Sequence, residues 1–329
     1  MSNSVEGISV DEAIELMNYD DSRLEELITR AGAVREQYCG NEVYTCAIVN
    51  AKSGNCEENC TFCPQSVHSS SDIDIYGLKN EEDVLDRAKT AKDEYAKNFG
   101  IVTSGRLLSN KDERETVKKT ISAIAEETGI HACASLGVVE KEYLQELKDA
   151  GMSAYHHNLE TARSHYHNVC TTRTYDENVQ AVKDALDVGL AVCSGGIFGM
   201  GESNEQRVEL LQTLREIGVK SIPINFLNPV EGTPIFGKHD DLTPEECLKI
   251  IAVARLMHPE AQIRVCGGRD RNLGEMQSRI FEAGANALMI GSYLTTSGRD
   301  VETDMQMIKD AGMTLAEDGL CGCGSCECK

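Results

Sequence analysis

Short apolar runs rich in β-branched residues alternate with longer amphipathic segments from about residue 40 onward. Such alternation is typical of repeated βα units around a parallel sheet. The pattern predicts eight strands, near residues 43–50, 99–103, 131–136, 154–158, 190–196, 221–226, 262–266 and 287–290. Eight strands with intervening helices favour an α/β fold with a closed (β/α)8 TIM-type barrel. Six strands in a half-open barrel would fit the same pattern.

Turn and capping residues mark the ends of the predicted helices. Glycine stands just before four of the predicted strands, as expected for helix C-caps: Gly151, Gly189, Gly218 and Gly284. The segment before residue 40 is predicted to add helices, with Ser9 and Glu12 forming a capping box. We therefore expect N-terminal helices over residues 1–39, the barrel over 40–313 and a cysteine-rich tail over 314–329.

Composition and charge narrow the possible functions. The formal net charge is −22, and no cluster of Lys and Arg offers the basic face that a nucleic-acid reader needs. The first residues are polar, and no apolar run is long enough to cross a membrane, so we expect a cytoplasmic protein without a membrane span. The 14 cysteines of this 329-residue chain favour metal binding over disulfides, because a chain of this length can already bury a core.

Three of these cysteines follow the first predicted strand with the spacing CxxxCxxC: Cys56, Cys60 and Cys63. On one tight loop they can hold three irons of a 4Fe-4S cluster and leave the fourth iron open. The amino and carboxylate groups of S-adenosylmethionine can chelate an open iron, and Phe62 is placed to lie against its adenine. A zinc knuckle or an electron-transfer cluster is the alternative, with His68 the nearest candidate for a fourth ligand.

Further short motifs follow the cysteine loop in a fixed order. They are Tyr-His-His-Asn-Leu-Glu-Thr at 155–161, Thr-Thr-Arg-Thr-Tyr at 171–175, Val-Cys-Ser-Gly-Gly at 192–196, Gly-Met-Gly-Glu at 199–202, Ile-Pro-Ile-Asn at 222–225, Gly-Thr-Pro at 232–234 and Leu-Thr-Thr at 294–296. With these motifs the chain resembles the biotin synthases from about residue 40 to residue 312. Several motifs in one order are more specific than the cysteine loop alone.

The resemblance implies a homodimeric barrel enzyme that reductively cleaves S-adenosylmethionine to a 5'-deoxyadenosyl radical. That radical removes hydrogen from two unactivated carbons of dethiobiotin, and an auxiliary iron-sulfur cluster supplies the sulfur that closes the ring. A flavodoxin- or ferredoxin-type reductant is implied as well. A closed barrel suits this chemistry because a carbon radical must be shielded from water and directed at one C–H bond.

The resemblance also implies roles for single residues. Asn158 and Glu160 would bind the ribose hydroxyls of S-adenosylmethionine, with Glu standing where the family more usually has Asp. Asn225 would donate to the ureido carbonyl of dethiobiotin, and Thr295 with Thr296 would hold its tail carboxylate. The alternatives are a satisfied core amide for Asn225 and a helix N-cap for the threonines.

Two positions depart from the family's pattern near these sites. His156 stands where the family commonly has Asn beside the ureido group, and we place it in the substrate-binding set. Asn178 stands where an Arg commonly follows the Thr-Tyr pair. The contacts to substrate and to the methionine carboxylate are therefore expected to differ in detail.

The residues expected at the auxiliary cluster depart further from the family's pattern. Two of the family's three barrel cysteines correspond to Cys133 and Cys193 and its arginine to Arg264, but the third cysteine is replaced by Gly100. Cys266 lies two residues beyond Arg264, so the period-two alternation of a strand turns both side chains to one face. We therefore expect Cys133, Cys193 and Cys266 to hold an auxiliary cluster of the 4Fe type rather than 2Fe-2S, with Arg264 as charge partner or weak ligand. Buried free cysteines are the alternative.

The remaining cysteines fall into two groups. Four close the chain and can wrap iron-sulfur or zinc, or pass sulfur by thiol exchange, unless the end is only a disordered thiol-rich segment: Cys321, Cys323, Cys326 and Cys328. Four others are expected to be core or surface thiols: Cys39, Cys46, Cys170 and Cys247.

Two other functions fit part of the pattern. One is a different radical S-adenosylmethionine enzyme of the same barrel type, similar to methylornithine synthase or a hydrogenase maturase. The other is a non-catalytic iron-sulfur carrier, which would not cleave S-adenosylmethionine.

Overall fold

The computed structural model describes residues 5–296 and 298–319. The strands are β1 Glu42–Lys52, β2 Asn98–Thr103, β3 His131–Ser135, β4 Ala154–His156, β5 Ala191–Cys193, β6 Gly196–Phe198, β7 Ser221–Phe226, β8 Gln262–Val265, β9 Ala287–Met289 and β10 Thr314–Leu315. The helices are α1 Val10–Met17, α2 Leu24–Cys39, α3 Glu81–Asp93, α4 Lys111–Thr128, α5 Lys141–Asp149, α6 Arg163–Val169, α7 Tyr175–Asp187, α8 Asn204–Ile217, α9 Pro244–Met257, α10 Arg269–Leu273 and α11 Val301–Asp310. Two 3-10 helices cover Asp21–Arg23 and Gly274–Ile280.

The strands form a closed parallel barrel in the order β1-β2-β3-β4-β5-β7-β8-β9, and β9 returns to pair with β1. Every pairing in this ring is parallel, with a helical segment between most consecutive strands, as the βα pattern predicts. Since β1 pairs with both β2 and β9, no open edge remains between the first and last barrel strands. The predicted (β/α)8 barrel is confirmed, and the half-open alternative is wrong.

One predicted strand, at residues 190–196, is divided into β5 and β6. β5 pairs with β7 only through Cys193 and Ser221, and β6 takes up the pairing again at Ile224. The interruption lies beside Pro223, which has no N–H to donate to a ladder. Gly195 approaches the Pro223 backbone so closely that a Cβ there would lie 2.0 Å from the Pro223 carbonyl oxygen.

The N-terminal helices cover a barrel helix that is buried along most of its length. All of α9 from Cys247 to its end is buried, so it needs a second layer outside the barrel. α1 and α2 provide that layer, and Lys249 on α9 donates to the Tyr19 carbonyl oxygen at 2.6 Å. Ser9 caps α1 by accepting from the Glu12 N–H. Gly218 ends α8 with a φ of 89°, a conformation that favours glycine.

The last described residues return to the amino-terminal end of the barrel. β10 pairs in parallel with the start of β1, and Asn98 at the start of β2 donates to the Gly319 carbonyl oxygen at 2.9 Å. The first residues of the predicted tail therefore belong to the barrel wall. The four tail cysteines lie outside the described residues. Among the helices that the structure describes, none combines the length and the apolar character that a membrane crossing requires.

Candidate functional site

A cavity of about 410 Å³ lies inside the barrel and opens at the carboxyl ends of its strands. Parallel strands bring these ends to one face, where side chains from distant parts of the sequence meet. The predicted site residues that line this central cavity are Cys56, Cys60, Phe62, Cys63, His156, Asn158, Glu160, Cys193, Asn225, Arg264, Cys266, Thr295 and Thr296. Cys133 is buried in β3 next to them.

The three loop cysteines lie on a chain reversal that backbone hydrogen bonds fix directly after β1. The Cys56 N–H donates to the Gln65 carbonyl oxygen at 3.0 Å, and the Val67 N–H donates to the Cys56 carbonyl oxygen at 2.8 Å. The Cys63 N–H donates to the Cys60 carbonyl oxygen at 3.1 Å, which turns the end of the loop back on itself. The cysteine loop, residues 53–66, is thus shaped by its own backbone.

Glu58 fastens this loop to two neighbouring segments. Its buried carboxylate accepts from the Arg106 guanidinium at 3.1 Å and from the Thr172 hydroxyl at 2.5 Å. Asn59 adds a second attachment, since its amide nitrogen donates to the Thr171 hydroxyl at 2.7 Å. No sequence pattern indicates a role for Glu58, because only the fold brings these three segments together.

Cys60 and Cys63 retain their protons at neutral pH, because their surroundings raise the pKa of both thiols. Burial raises the pKa of Cys63 to about 11. The pKa of Cys60 is raised by a hydrogen bond with Cys170 and by burial. Cys170 is buried in the core, which is one of the two expected settings, and it also lies next to the cysteine loop. Within the part of the chain that the structure describes, no three His, Cys, Asp or Glu side chains converge closely enough for a single ion, whereas a multi-iron cluster spreads its ligands.

The side of the cavity next to the cysteine loop carries polar atoms that lack protein partners. Glu160 adopts a φ of 68°, and its buried Oε2 has no hydrogen-bond partner among the described residues. Burial raises the pKa of Glu160 to about 7, against the lowering effect of Arg173 and of the Asn158 side chain. A buried carboxylate oxygen without a hydrogen-bond partner is suited to accept hydrogen bonds from the hydroxyls of a ligand.

Arg173 was missed by the sequence analysis, although it lies within the Thr-Thr-Arg-Thr-Tyr motif. Its guanidinium lines the same side of the cavity, and its Nε is buried without a hydrogen-bond partner in the described part of the chain. Burial alone would lower the pKa of Arg173, but Tyr166, Cys60 and Glu160 around it raise the pKa. A fixed positive charge beside the cysteine loop is suited to a carboxylate ligand.

Deeper in the barrel, the predicted auxiliary residues surround one buried volume. Arg264 and Cys266 both line the cavity from the β8 side, and Cys193 faces them from β5. Burial raises the pKa of Cys133, Cys193 and Cys266. Cys46 on β1, which the sequence analysis set aside, lines the same volume.

Gly100 also faces this volume, in register with Cys133 on β3 and Ile48 on β1. A Cβ at Gly100 would lie 3.1 Å from Ile48 Cγ2 and 3.8 Å from His156 Cε1. The position where the resemblance expects a third cysteine therefore points into the barrel, but it brings no thiol.

The predicted substrate residues line the same cavity as the two thiol groups. The Asn225 amide nitrogen donates to the Gly196 carbonyl oxygen at 3.2 Å, and its oxygen accepts from the Gly267 N–H at 3.0 Å. Asn225 thus already bridges two strands while it faces the cavity. Burial, with help from Arg264, lowers the pKa of His156 to about 4, so its imidazole is neutral at neutral pH.

Asn178 lies outside the cavity wall, in a buried hydrogen-bonded layer. Its Oδ1 accepts from His157 Nε2 at 3.0 Å, and its amide nitrogen donates to the Tyr166 hydroxyl at 3.0 Å. His157 and Tyr166 belong to the segments that carry Asn158 and Arg173 toward the cavity. Asn178 therefore supports the cavity wall and does not face a ligand.

Two family models and several curated proteins are similar to this chain. Residues 51–214 match the Radical SAM superfamily, and residues 223–314 match the Biotin and Thiamin Synthesis associated domain. Curated relatives include the biotin synthase of Geobacter sulfurreducens, 50% identical with 93% of each chain covered. The biotin synthase of Geotalea daltonii is 47% identical, with 94% of each chain covered. Among solved structures, methylornithine synthase superposes with a TM-score of 0.82 at 23% identity over 94% of each chain, a likeness of fold alone.

Proposed function

The chain belongs to the biotin synthase family of radical S-adenosylmethionine enzymes, and from this we propose that it inserts sulfur into dethiobiotin to form biotin. The observation that carries the proposal is the meeting of two cysteine groups in one cavity. One group lies on the cysteine loop and the other lies deeper in the barrel. A substrate held between them would have a radical source on one side and a sulfur source on the other.

Cys56, Cys60 and Cys63 would hold a 4Fe-4S cluster. When bound, that cluster supplies the electron that cleaves S-adenosylmethionine into methionine and the 5'-deoxyadenosyl radical. The three thiols fit this group because they share one loop and face a cavity with room for a ligand. Glu58 would keep the loop in place through Arg106 and Thr172.

S-adenosylmethionine would bind between the loop and the ends of β4 and α6. The Glu160 carboxylate, which has an unpartnered oxygen, would accept from the ribose hydroxyls, with Asn158 beside it. The Arg173 guanidinium would hold the methionine carboxylate. It would take the place of the arginine that the family commonly has at position 178, where this chain has Asn178 outside the cavity. Phe62 would lie against the adenine.

Dethiobiotin would lie deeper, toward the second cysteine group. Asn225 has one amide hydrogen left after its bond to Gly196, and this hydrogen could be donated to the ureido carbonyl. The neutral His156 imidazole could make a further hydrogen bond with the ureido group. Thr295 and Thr296, at the mouth of the cavity, would hold the tail carboxylate.

Cys133, Cys193 and Cys266 would hold the auxiliary cluster, with Arg264 as charge partner. Three thiolates would hold three irons of a 4Fe cluster and leave the fourth iron without a ligand from these residues. Metal binding would also remove the thiol protons that burial otherwise retains, and would give the buried Arg264 an anionic neighbour. The cluster would supply the sulfur that closes the ring.

The proposal includes partners carried over from the family. These are a second copy of the chain and a flavodoxin- or ferredoxin-type reductant. A cytoplasmic setting, which is expected from the sequence, is part of the proposal as well. The tail cysteines Cys321, Cys323, Cys326 and Cys328 would bind metal or return sulfide after turnover. Replacing all four with Ser should lower metal content or repeated turnover, and unchanged values for both would refute this role.

The test is incubation of the anaerobically reconstituted protein with dethiobiotin, S-adenosylmethionine and a strong reductant, followed by mass spectrometry. The proposal expects biotin together with 5'-deoxyadenosine. A different radical enzyme of this barrel type would cleave S-adenosylmethionine without making biotin. A non-catalytic iron-sulfur carrier would form neither product.

A further inference from the structure

Cys46 is a buried thiol that nothing in the sequence connects with chemistry. It lies on β1 with 3% of its surface exposed and packs with Cys266 and Met289 in a small interior cluster. Ile48 and Tyr293 flank this cluster. Cys46 also lines the central cavity, so its thiol faces the volume of the proposed auxiliary site and not the helical layer.

The strand register explains why Cys46 and Cys266 meet. Cys46 is in register with Met289 on β9. On the other side of β9, Val265 of β8 is in register with Leu288, so the next residues along, Cys266 and Met289, lie side by side. Cys46 and Cys266 meet only because β9 pairs with β1 and closes the barrel. A thiol from the first strand is thereby placed next to a thiol from the strand before last.

The other two thiols complete the same neighbourhood. Cys46 interacts electrostatically with Cys133, Cys193 and Cys266. Cys46, Cys193 and Cys266 lie close enough to Arg264 to raise the pKa of its guanidinium. Four thiols, three on β1, β3 and β5 and one directly after β8, therefore lie around one guanidinium.

β1 provides a thiol near the position where Gly100 replaces the expected third cysteine. Gly100 on β2 is in register with Ile48, whose side chain occupies the volume that a β2 side chain would enter. Cys46 lies two residues before Ile48 and shares its face of the strand. β2 therefore provides no thiol at Gly100, whereas the neighbouring β1 provides Cys46, two residues closer to the amino-terminal end of the barrel.

Arg264 gives an independent indication of an anionic ligand in this volume. The residue is 5% exposed, and its Nε has no hydrogen-bond partner in the described ranges. Its other nitrogens donate to Gln262 at 2.8 Å and to the Tyr44 carbonyl oxygen at 3.5 Å, which are neutral acceptors. A buried cation is costly without a negative partner. Iron-bound thiolates would provide that charge.

We propose that Cys46 is the fourth protein ligand of the auxiliary cluster and completes a four-thiolate set with Cys133, Cys193 and Cys266. Arg264 is then a positioning residue that balances the charge of the thiolates, and not a ligand. This inference rests on the auxiliary site of the proposed function. Three thiolates would leave one iron of a 4Fe cluster open, and the Cys46 thiolate closes that iron in the resting state.

The test compares Cys46→Ala with Cys266→Ala and with Cys247→Ala, a buried control on α9 outside the cavity. Each variant is reconstituted without oxygen, and iron and sulfide per chain are measured together with the Mössbauer spectrum. Circular dichroism and S-adenosylmethionine cleavage report whether the fold and the loop cluster persist. Cys46→Ser repeats the test with little change in side-chain volume.

We expect about eight irons in the parent and in Cys247→Ala, and a loss of up to about four in Cys46→Ala and Cys266→Ala, with the loop cluster retained. A full iron count with a changed environment at one iron site in Cys46→Ala also supports ligation. Parent-like iron, sulfide and Mössbauer spectra in both Cys46 variants, with the auxiliary iron lost in Cys266→Ala, overturn the role of Cys46 and leave the proposed function standing. Parent-like values in all three Ala variants overturn the auxiliary site itself.

Discussion

At the scale of single residues, Glu160 and Arg173 each keep one buried polar atom without a hydrogen-bond partner in the described part of the chain. Loop spacing and strand alternation were enough to predict that Cys56, Arg264 and Cys266 face the cavity. The positive φ of Glu160 and the missing partner of its Oε2 depend on how β4 ends against its neighbours, which no local pattern records. Arg173 was overlooked for the same reason, since its burial appears only in the folded chain.

The raised pKa of Glu160 predicts that the affinity for S-adenosylmethionine depends on pH. This pKa is raised to about 7, so the unliganded carboxyl is largely protonated below that pH. Ribose hydroxyls donate to the charged form, so S-adenosylmethionine should bind more tightly as the pH rises through about 7, by up to roughly tenfold per pH unit. Glu160→Gln should bind more weakly and lose this pH dependence.

Equilibrium dialysis with the reconstituted protein between pH 6 and pH 8 would measure this affinity. The exposed Glu142→Gln on α5 is the control and should follow the parent. If Glu160→Gln keeps the parent affinity and slope, the ribose assignment is wrong.

The buried charge of Arg173 is predicted to strengthen the binding of S-adenosylmethionine. Loss of a charge-assisted hydrogen bond costs about 1.5–3 kcal/mol, so Arg173→Gln should weaken S-adenosylmethionine binding by roughly tenfold to a hundredfold. Arg173→Lys should recover only part of this, because Lys lacks the planar fork. Arg163→Gln, an exposed arginine on the nearby α6, is the control. Equal affinity in Arg173→Gln and the parent would contradict the assignment.

At the scale of elements, the sequence predicted strand order well and strand continuity less well. The eight predicted strands are all present, because buried parallel strands leave an apolar signature that helices interrupt. The break between β5 and β6 was missed, because its cause is Pro223 on a different strand. The anchoring of the cysteine loop was also missed, since Glu58, Arg106 and Thr172 are far apart in the sequence.

The loop anchor can be tested by removing its centre. Glu58→Ala leaves the Arg106 and Thr172 groups without their shared acceptor, so the loop should lose order and reconstitute poorly. We expect iron content to fall by about four per chain, with cleavage of S-adenosylmethionine falling in proportion. The neighbouring, exposed Glu57→Ala is a matched control. Full iron content in Glu58→Ala would show that the backbone turns alone hold the loop.

At the scale of the whole molecule, barrel closure decides which cysteines meet. Strand alternation could place Cys46 on an inward face, but only the pairing of β9 with β1 sets it beside Cys266. The same closure separates the cysteine loop at the carboxyl ends of the strands from residues 314–319 at their amino ends.

The central claim is that sulfur moves from a cluster held by this chain into dethiobiotin. The protein would be reconstituted with sulfur-34 sulfide, freed of unbound sulfide, and allowed a single turnover with unlabelled dethiobiotin and S-adenosylmethionine. Mass spectrometry should then find sulfur-34 in the biotin formed, and Cys266→Ala should cleave S-adenosylmethionine while forming little biotin. Unlabelled biotin, or biotin formation by Cys266→Ala at the parent level, would contradict the account.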